Sequence, residues 1–185
     1  MIQKLHYRMK NNGKPKIFII DVDGVLSTGQ FFYSNKGKEM KIFGPDDNDA
    51  LSLLKPHMEI RFVTGDKKGF KISEKRIVKD MNYKLDLVST IKRIDWISKK
   101  YNPREVIYMG DGIFDHYVFR KVSYSIATKN GDINAIKNAN YVTKRNGGER
   151  AVAEACLHIL KKFFKPYNPN KLPSNKNKIS EQWTV

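Results

Sequence analysis

The sequence predicts an α/β domain organised as a doubly wound parallel sheet, and three observations lead there. Strand-like runs recur, Ile17-Phe18-Ile19-Ile20, Glu59-Ile60-Arg61-Phe62-Val63 and Val106-Ile107-Tyr108-Met109, the first reading as a strand buried on both faces. Segments with apolar residues at helical spacing separate them, and that alternation builds a parallel sheet with helices on both faces. Each run also ends in polar residues: Asp21 and Asp23, Thr64-Gly65, and Asp111 with Asp115. Open parallel sheets bind their ligands at these C-terminal ends.

The elements follow in order. Residues 1–15 are basic and close on the breaker Gly13-Lys14-Pro15, so they read as a leader. After the first strand, residues 30–33 and 39–43 flank Ser34-Asn35-Lys36-Gly37-Lys38, a β-hairpin with a glycine-containing turn. Gly44-Pro45 ends it. Asp46 or Asp47 then caps a helix through Ala50, Leu51, Leu53 and Leu54, which Pro56 stops. Strand 59–63 is followed by a helix through Ile72, Arg76, Ile77 and Met81, and residues 83–88 alternate as a third strand. Ile91, Ile94, Trp96 and Ile97 form the next apolar stripe, closed by Asn102-Pro103. Strand 106–109 runs into Gly110-Asp111-Gly112-Ile113-Phe114-Asp115. A helix over 117–122, a strand over 124–127, a helix over 133–137 and a strand over 141–143 complete the alternation. Gly147-Gly148 opens a last helix with Val152, Ala155, Cys156, Ile159 and Phe163 on one face. From Lys165 the chain turns rich in Pro, Asn and Lys and reads as a tail, although Trp183 and Val185 are unusual for a purely solvated end. The division is a leader over 1–15, one domain over 16–164 and a tail over 165–185.

Composition narrows the function. At 185 residues with 40% hydrophobic content the chain suffices for one full core. No stretch approaches the roughly 18 apolar residues of a membrane span, and the basic start lacks the apolar core of a secretory signal. The single cysteine, Cys156, excludes an internal disulfide and fits a reducing cytoplasm. A net charge of +16 invites a nucleic-acid reading. Only eight of the 35 basic residues are arginines, however, and they are scattered without aromatic interleaving. This pattern argues against base readout or stacking and for attraction of small anionic substrates.

The strand ends supply the chemistry. Asp21 and Asp23 are two residues apart and so share a side of their strand; one carboxylate can serve as nucleophile and the other as proton donor. With Asp111 and Asp115 from another strand end they concentrate negative charge that calls for a cation. Hard oxygen ligands with open positions suit Mg²⁺, which also accepts phosphate oxygens. The Thr64 hydroxyl and backbone N–H groups at Gly65 suit the remaining phosphate oxygens. Lys92, at a helix start after the third strand, is placed to neutralise a transferring group.

Together these residues resemble the haloacid dehalogenase superfamily of phosphohydrolases. Asp21-Val22-Asp23-Gly24-Val25 matches its first motif, the strand ending in Thr64 its second, Lys92 its third, and Gly110-Asp111-Gly112-Ile113-Phe114-Asp115 its fourth. The resemblance covers about residues 16–164. The hairpin region from Val22 to Asp47, with Ala139-Asn140-Tyr141-Val142-Thr143 and the following Gly147-Gly148 and Ala151-Val152, is similar to the 3-deoxy-D-manno-octulosonate 8-phosphate phosphatases. That family includes phosphatase-like domains fused to some acylneuraminate cytidylyltransferases. The resemblance implies a Rossmann-like fold of the haloacid dehalogenase type with a hairpin flap. It also implies a phosphohydrolase of small sugar phosphates in surface-carbohydrate biosynthesis. In it Asp21 attacks phosphorus to form an aspartyl phosphate, and Asp23 protonates the leaving oxygen and later activates water. Mg²⁺ is held by Asp21, the Asp23 backbone carbonyl and Asp111, with Asp115 as ligand or support; Thr64 and Gly65 bind phosphate and Lys92 balances charge.

Departures bear on the substrate. An arginine usual after the family's Thr-Gly is Asp66 here, and another near the last helix is Ala153. The loop Asp46-Asp47-Asn48 keeps only its middle aspartate, so Asp47 is expected at the substrate, with Arg76 matching a further family arginine. Only 27 residues separate Thr64 from Lys92, so no cap domain fits there. Capless relatives are homotetramers in which a neighbour covers each site, and Phe31, Phe32, Tyr33 and Phe43 on the hairpin suit that. Two alternatives stand beside this reading: a phosphatase of a macromolecule such as a polynucleotide 3′-phosphate, and a non-catalytic assembly domain.

Overall fold

A computed structural model describes residues 14–173. Strand β1 (Ile17–Asp21) is buried at every position and lies at the centre of a six-stranded parallel sheet. The sheet order is β5-β4-β1-β6-β7-β8, with β4 (Glu59–Thr64), β5 (Lys84–Leu87), β6 (Val106–Gly110), β7 (Tyr124–Ala127) and β8 (Tyr141–Val142). Strands β2 (Ser27–Ser34) and β3 (Gly37–Phe43) form the antiparallel hairpin as a separate two-stranded sheet. The hairpin strands begin earlier than turn chemistry alone suggests, because Ser27 pairs with Phe43 across a register irregularity.

Alternate residues of β1 feed two cores. Phe18 and Ile20 join the larger one, with Leu51 and Leu54 of α1 (Asp47–Leu54), Ile77, and Val152, Cys156 and Ile159 of α6 (Ala151–Phe163). Ile17 and Ile19 face the other, with Ile97 of α3 (Arg93–Lys100), Val118 and Phe119 of α4 (Asp115–Phe119) and Ala135 of α5 (Ile133–Asn138). This is the doubly wound arrangement. Burying a side chain such as Phe18 or Leu51 is worth about 1.5–3 kcal/mol, which explains the unbroken apolar runs.

Helix α2 (Phe70–Glu74) continues through the wider turns of Lys75–Asp80 and is all that lies between β4 and β5 besides short loops. Those few residues hold no cap domain. Two local expectations differ from the structure. Ile91 is 70% exposed in a tight turn over Thr90–Lys92, so the apolar stripe begins only at Ile94. Helix α4 stops at Phe119, with Tyr117 exposed. Trp183, Val185 and most of the leader lie outside the described residues.

The chain leaves β1 toward β4 and β5 on one side and toward β6, β7 and β8 on the other. That reversal opens a crevice beyond the C-terminal end of β1. The loop before α6 closes against it, with the Gly148 N–H donating to the Val25 carbonyl at 2.9 Å.

Candidate active site

Asp21 is the last residue of β1 and is almost fully buried. The Val22 N–H donates to its Oδ1 at 2.8 Å. The chain then makes a wide turn, closed by the Ser27 N–H on the Val22 carbonyl. Gly24 carries the bend at φ 85°, and a Cβ there would stand 2.0 Å from Asp111 Oδ2. A left-handed backbone and a neighbouring carboxylate in the space of a methyl both require glycine. The motif thus brings the ends of β1 and β6 into contact.

From β6, Asp111 and Asp115 arrive in different states. Asp115 is wholly buried. Its Oδ2 accepts the Asp111 and Gly112 N–H groups at 2.9 and 2.8 Å, and its Oδ1 accepts the Tyr108 hydroxyl at 2.8 Å. Asp115 therefore fixes the loop. Asp111 is only partly buried, and burial followed by the charges of Asp21 and Asp115 pushes its pKa up to about 8. Carboxylate oxygens of Asp21, Asp111 and Asp115 lie within 4.8 Å of one another.

The cation beside this cluster is Arg93, a correction to the expectation for Lys92. Lys92 is exposed in the turn before α3, whereas Arg93, one residue later, points inward and is 2% exposed. Arg93 Nη1 and Nη2 donate to Asp21 Oδ2 and Oδ1 at 2.5 and 3.0 Å, and Nη1 also reaches Tyr108 Oη at 2.5 Å and Asp115 Oδ1 at 3.2 Å. A planar fork can hold two oxygens of one carboxylate and touch a second, which an ammonium cannot do. Burial alone would lower the Arg93 pKa, but Asp21, Tyr108 and Asp115 hold it above its ordinary value. Burial likewise pushes Asp21 upward, opposed by Arg93.

Across the crevice, Thr64 ends β4 with its side chain buried. Its hydroxyl donates to Asp23 Oδ2 at 2.9 Å and accepts the Asp66 N–H at 3.0 Å. Gly65, beside it, is exposed. The hairpin adds Lys41, with Nζ 2.7 Å from Asp23 Oδ1 and 3.0 Å from Asp66 Oδ2. Burial would raise Asp66, but hydrogen bonds from Lys38, the Gly69 N–H and Lys41 bring it down to about 2.

Asp47 and Arg76 stand apart from the acidic cluster. Asp47 is 2% exposed and turned toward the start of α6, where Oδ1 accepts the Ala153 N–H at 2.8 Å and Oδ2 has no hydrogen-bond partner among the described residues. This is a helix-end contact, where a carboxylate complements the N-terminal N–H groups. Desolvation pushes its pKa up to about 7; the charge of half-buried Arg76 acts in the opposite direction.

The donor set suits a hard divalent ion. Asp111 offers a carboxylate with no hydrogen bond from the protein among the described residues, beside Asp21. Oxygen donors with repelling charges fit Mg²⁺ rather than a soft metal.

Fold and site define a hydrolase of the haloacid dehalogenase type, and residues 88–156 match the family model for haloacid dehalogenase-like hydrolases. The chain is 32% identical over 155 residues to the 3-deoxy-D-manno-octulosonate 8-phosphate phosphatase of Salmonella typhi, spanning 78% of this chain and 79% of that one. The enzyme of Escherichia coli K12 is 34% identical over 150 residues with the same shares. Among solved structures, the Yersinia pestis phosphatase of that name superimposes with a TM-score of 0.67 at 26% identity, over 80% of this chain and 81% of that one. The Moraxella catarrhalis enzyme, solved with a magnesium ion, a phosphate ion and a KDO molecule, gives 0.68 at 25% identity over 87% and 92%. The chain belongs to the 3-deoxy-D-manno-octulosonate 8-phosphate phosphatase family and is a phosphoric monoester hydrolase.

Arg93, Tyr108 and Lys41 escaped the sequence reading. Tyr108 sits in an apolar strand where only its hydroxyl signals a polar neighbour, and Lys41, between Met40 and Ile42 in a two-residue alternation, reads from the sequence as facing solvent.

Two outcomes are expected. Arg93→Met should cost roughly 3–5 kcal/mol, as removing one partner of a buried ion pair does, and should abolish turnover. Lys92→Ala should stay within about 0.5 kcal/mol and keep its activity; the reverse pattern in melting and phosphate-release assays would contradict the assignment. For Asp47, a folded pKa near 7 lies above the ordinary 3.8. The folded state therefore keeps a proton that the unfolded chain has lost, and stability falls as pH rises from about 4 to 7. Asp47→Asn removes that loss, so relative to the native chain it should gain on the order of 1 kcal/mol between pH 5 and pH 8. Equal stability differences at both pH values in denaturant titrations would refute it.

Proposed function

We propose that the protein is a Mg²⁺-dependent phosphatase of a small acidic sugar phosphate, acting in the cytoplasm in surface-carbohydrate biosynthesis. The observation that carries this reading is the meeting of Asp21, Asp111 and Asp115 around Arg93 at the crevice beyond β1. The family relatives' named activity supports the substrate class.

In this reading Asp21, the Asp23 backbone carbonyl and Asp111 hold Mg²⁺, while Asp115 fixes their loop. The ion supplies charge neutralisation at the phosphate oxygens. A carboxylate oxygen of Asp21 attacks phosphorus as the bond to the leaving oxygen breaks, giving an aspartyl phosphate. Arg93 orients that carboxylate before attack. Asp23 gives its proton to the leaving oxygen, then takes one from the water that attacks the phosphoenzyme. Thr64 and Gly65 bind phosphate oxygens, the Thr64 hydroxyl exchanging its resting partner Asp23 for substrate.

A cavity of about 470 Å³ at the loop before α6, whose Gly148 bonds to Val25, supports an acidic substrate. Lys129, Lys144, Arg145 and Arg150 line it against a single acid, Glu149. Of the four cations only Arg150 has an ion-pair partner among the described residues, Asp46. The exposed hairpin face of Phe32, Met40 and Ile42 supports assembly into a homotetramer.

Phosphate release should be fastest with acidic sugar phosphates in Mg²⁺, vanish with chelator, and be negligible with a 3′-phosphorylated oligonucleotide. Asp21→Asn should lower kcat by at least about 10³ in a chain that still folds, with a lowered melting temperature because buried Arg93 loses one of its two carboxylates. Turnover retained in Asp21→Asn would reject the covalent route, and preference for the oligonucleotide would reject the substrate class.

A further inference from the structure

A strand lying over a core normally turns its apolar residues inward and its charges to water. Strand β3 does the opposite at its centre. The Lys41 side chain is fully buried, while Met40 and Ile42 on either side are 54% and 39% exposed. An ammonium leaves water only where partners replace it. Lys41 has three: Asp23 Oδ1 at 2.7 Å, Asp66 Oδ2 at 3.0 Å and Ser73 Oγ at 2.9 Å. Asp66 also takes Lys38 Nζ at 2.5 Å, and Lys38 stands 3.4 Å over the Phe31 ring. Charges thus alternate along a row from the crevice to the hairpin: Asp23, Lys41, Asp66, Lys38. Gly69 makes room for it, since a Cβ there would lie 2.2 Å from Asp66 Oδ2 and 2.7 Å from Lys41 Cε.

We propose that Lys41 is a positioning residue for the leaving-group proton, holding the Asp23 carboxyl in place and stabilising the charge that develops on it during phosphoryl transfer. This rests on the reading of Asp23 as general acid. Lys41 pairs with Oδ1 and, in the resting site, the Thr64 hydroxyl donates to Oδ2, so when Thr64 turns to the substrate it is Lys41 that still holds the carboxyl. As phosphorus leaves the substrate oxygen for Asp21, the proton on Asp23 passes to that oxygen and Asp23 becomes a carboxylate. The ammonium is already beside it, so no reorganisation is needed. Because Lys41 rides on β3, the acid works at full strength only with the hairpin seated. The hairpin is then part of the catalytic apparatus of its own chain, besides any role in assembly.

The test is the dependence of kcat/KM on the leaving group, measured with 4-nitrophenyl phosphate, phenyl phosphate and 3-deoxy-D-manno-octulosonate 8-phosphate. This parameter reports the step in which the ester bond breaks. A nitrophenolate leaves with little help from an acid, whereas a sugar alkoxide needs its proton. Lys41→Met should lower kcat/KM for the sugar phosphate about 10–100-fold, within the range of general acid catalysis, and for 4-nitrophenyl phosphate several-fold less. Lys41→Arg should recover most of the difference. Should Lys41→Met fail to fold, Lys41→Gln gives the same ratio with a neutral side chain of similar reach. An equal loss on all three esters, or no loss, overturns the proposal. Asp23→Asn separates the two readings: a leaving-group dependence unchanged from the native enzyme would defeat the general-acid role itself. A steepened dependence in Asp23→Asn that the Lys41 variants lack would defeat only the part given to Lys41.

Discussion

Three carboxylates share a space a few ångströms across, and much of the site serves to hold them there. At 4.8 Å and an effective dielectric constant near 20, each like-charged pair repels by roughly 3 kcal/mol. One guanidinium answers part of that repulsion. Arg93 bridges Asp21 and Asp115 from behind, while backbone N–H groups from Asp111 and Gly112 satisfy the far oxygen of Asp115. Asp111, whose carboxylate has no hydrogen bond from the protein among the described residues, is pushed up to about 8 by burial first and then by the charges of Asp21 and Asp115. What remains uncompensated faces the crevice, where a divalent ion and a phosphate have use for it.

Holding such charge requires a rigid frame, and the central strand supplies it. β1 is buried along its whole length, with alternate side chains in two separate cores. Its end cannot shift without disturbing both. The neighbouring strand ends, β4 and β6, are tied to it by the parallel ladders that pair Asp21 with Val63 and Ile20 with Met109. Asp21, Thr64 and the acidic loop after β6 are thereby fixed relative to one another before any ligand arrives, the condition under which positioning contributes most to rate.

The hairpin is a different kind of element. It contributes little to either core, exposes Phe31, Phe32, Tyr33, Met40 and Ile42, and is fastened to the body through charge. Lys38 and Lys41 reach across to Asp66 at the start of the loop after β4. Where the family resemblance leads one to look for an arginine, this chain places an acid and brings its lysines from the hairpin. The local charge is rearranged among neighbours, and the acid beside Thr64 and Gly65 is neutralised by Lys38 and Lys41.

The strands, their order of appearance and the acidic strand ends were legible in the sequence, since burial on two faces leaves an apolar run and a ligand-binding edge leaves polar residues at its close. Asp21, Asp23, Thr64, Asp111 and Asp115 were found that way, and the structure brings them to one crevice. Lys92 and Arg93 could not be told apart by pattern, because a tight turn over Thr90–Lys92 precedes the helix and shifts which side chain faces inward. Asp47 was visible as a motif residue, but its direction depended on where α6 begins, a contact between residues 106 apart. Lys41 lay between Met40 and Ile42, where alternation marks it as outward-facing, and only the packing of the hairpin over β4 and α2 provides the carboxylates and the hydroxyl that let a lysine be buried there instead. Local pattern fixes which residues belong to strands and helices; the pairing of charges distant along the chain is decided when those elements dock, because an ion pair is specified by distance in space and leaves no period in the sequence.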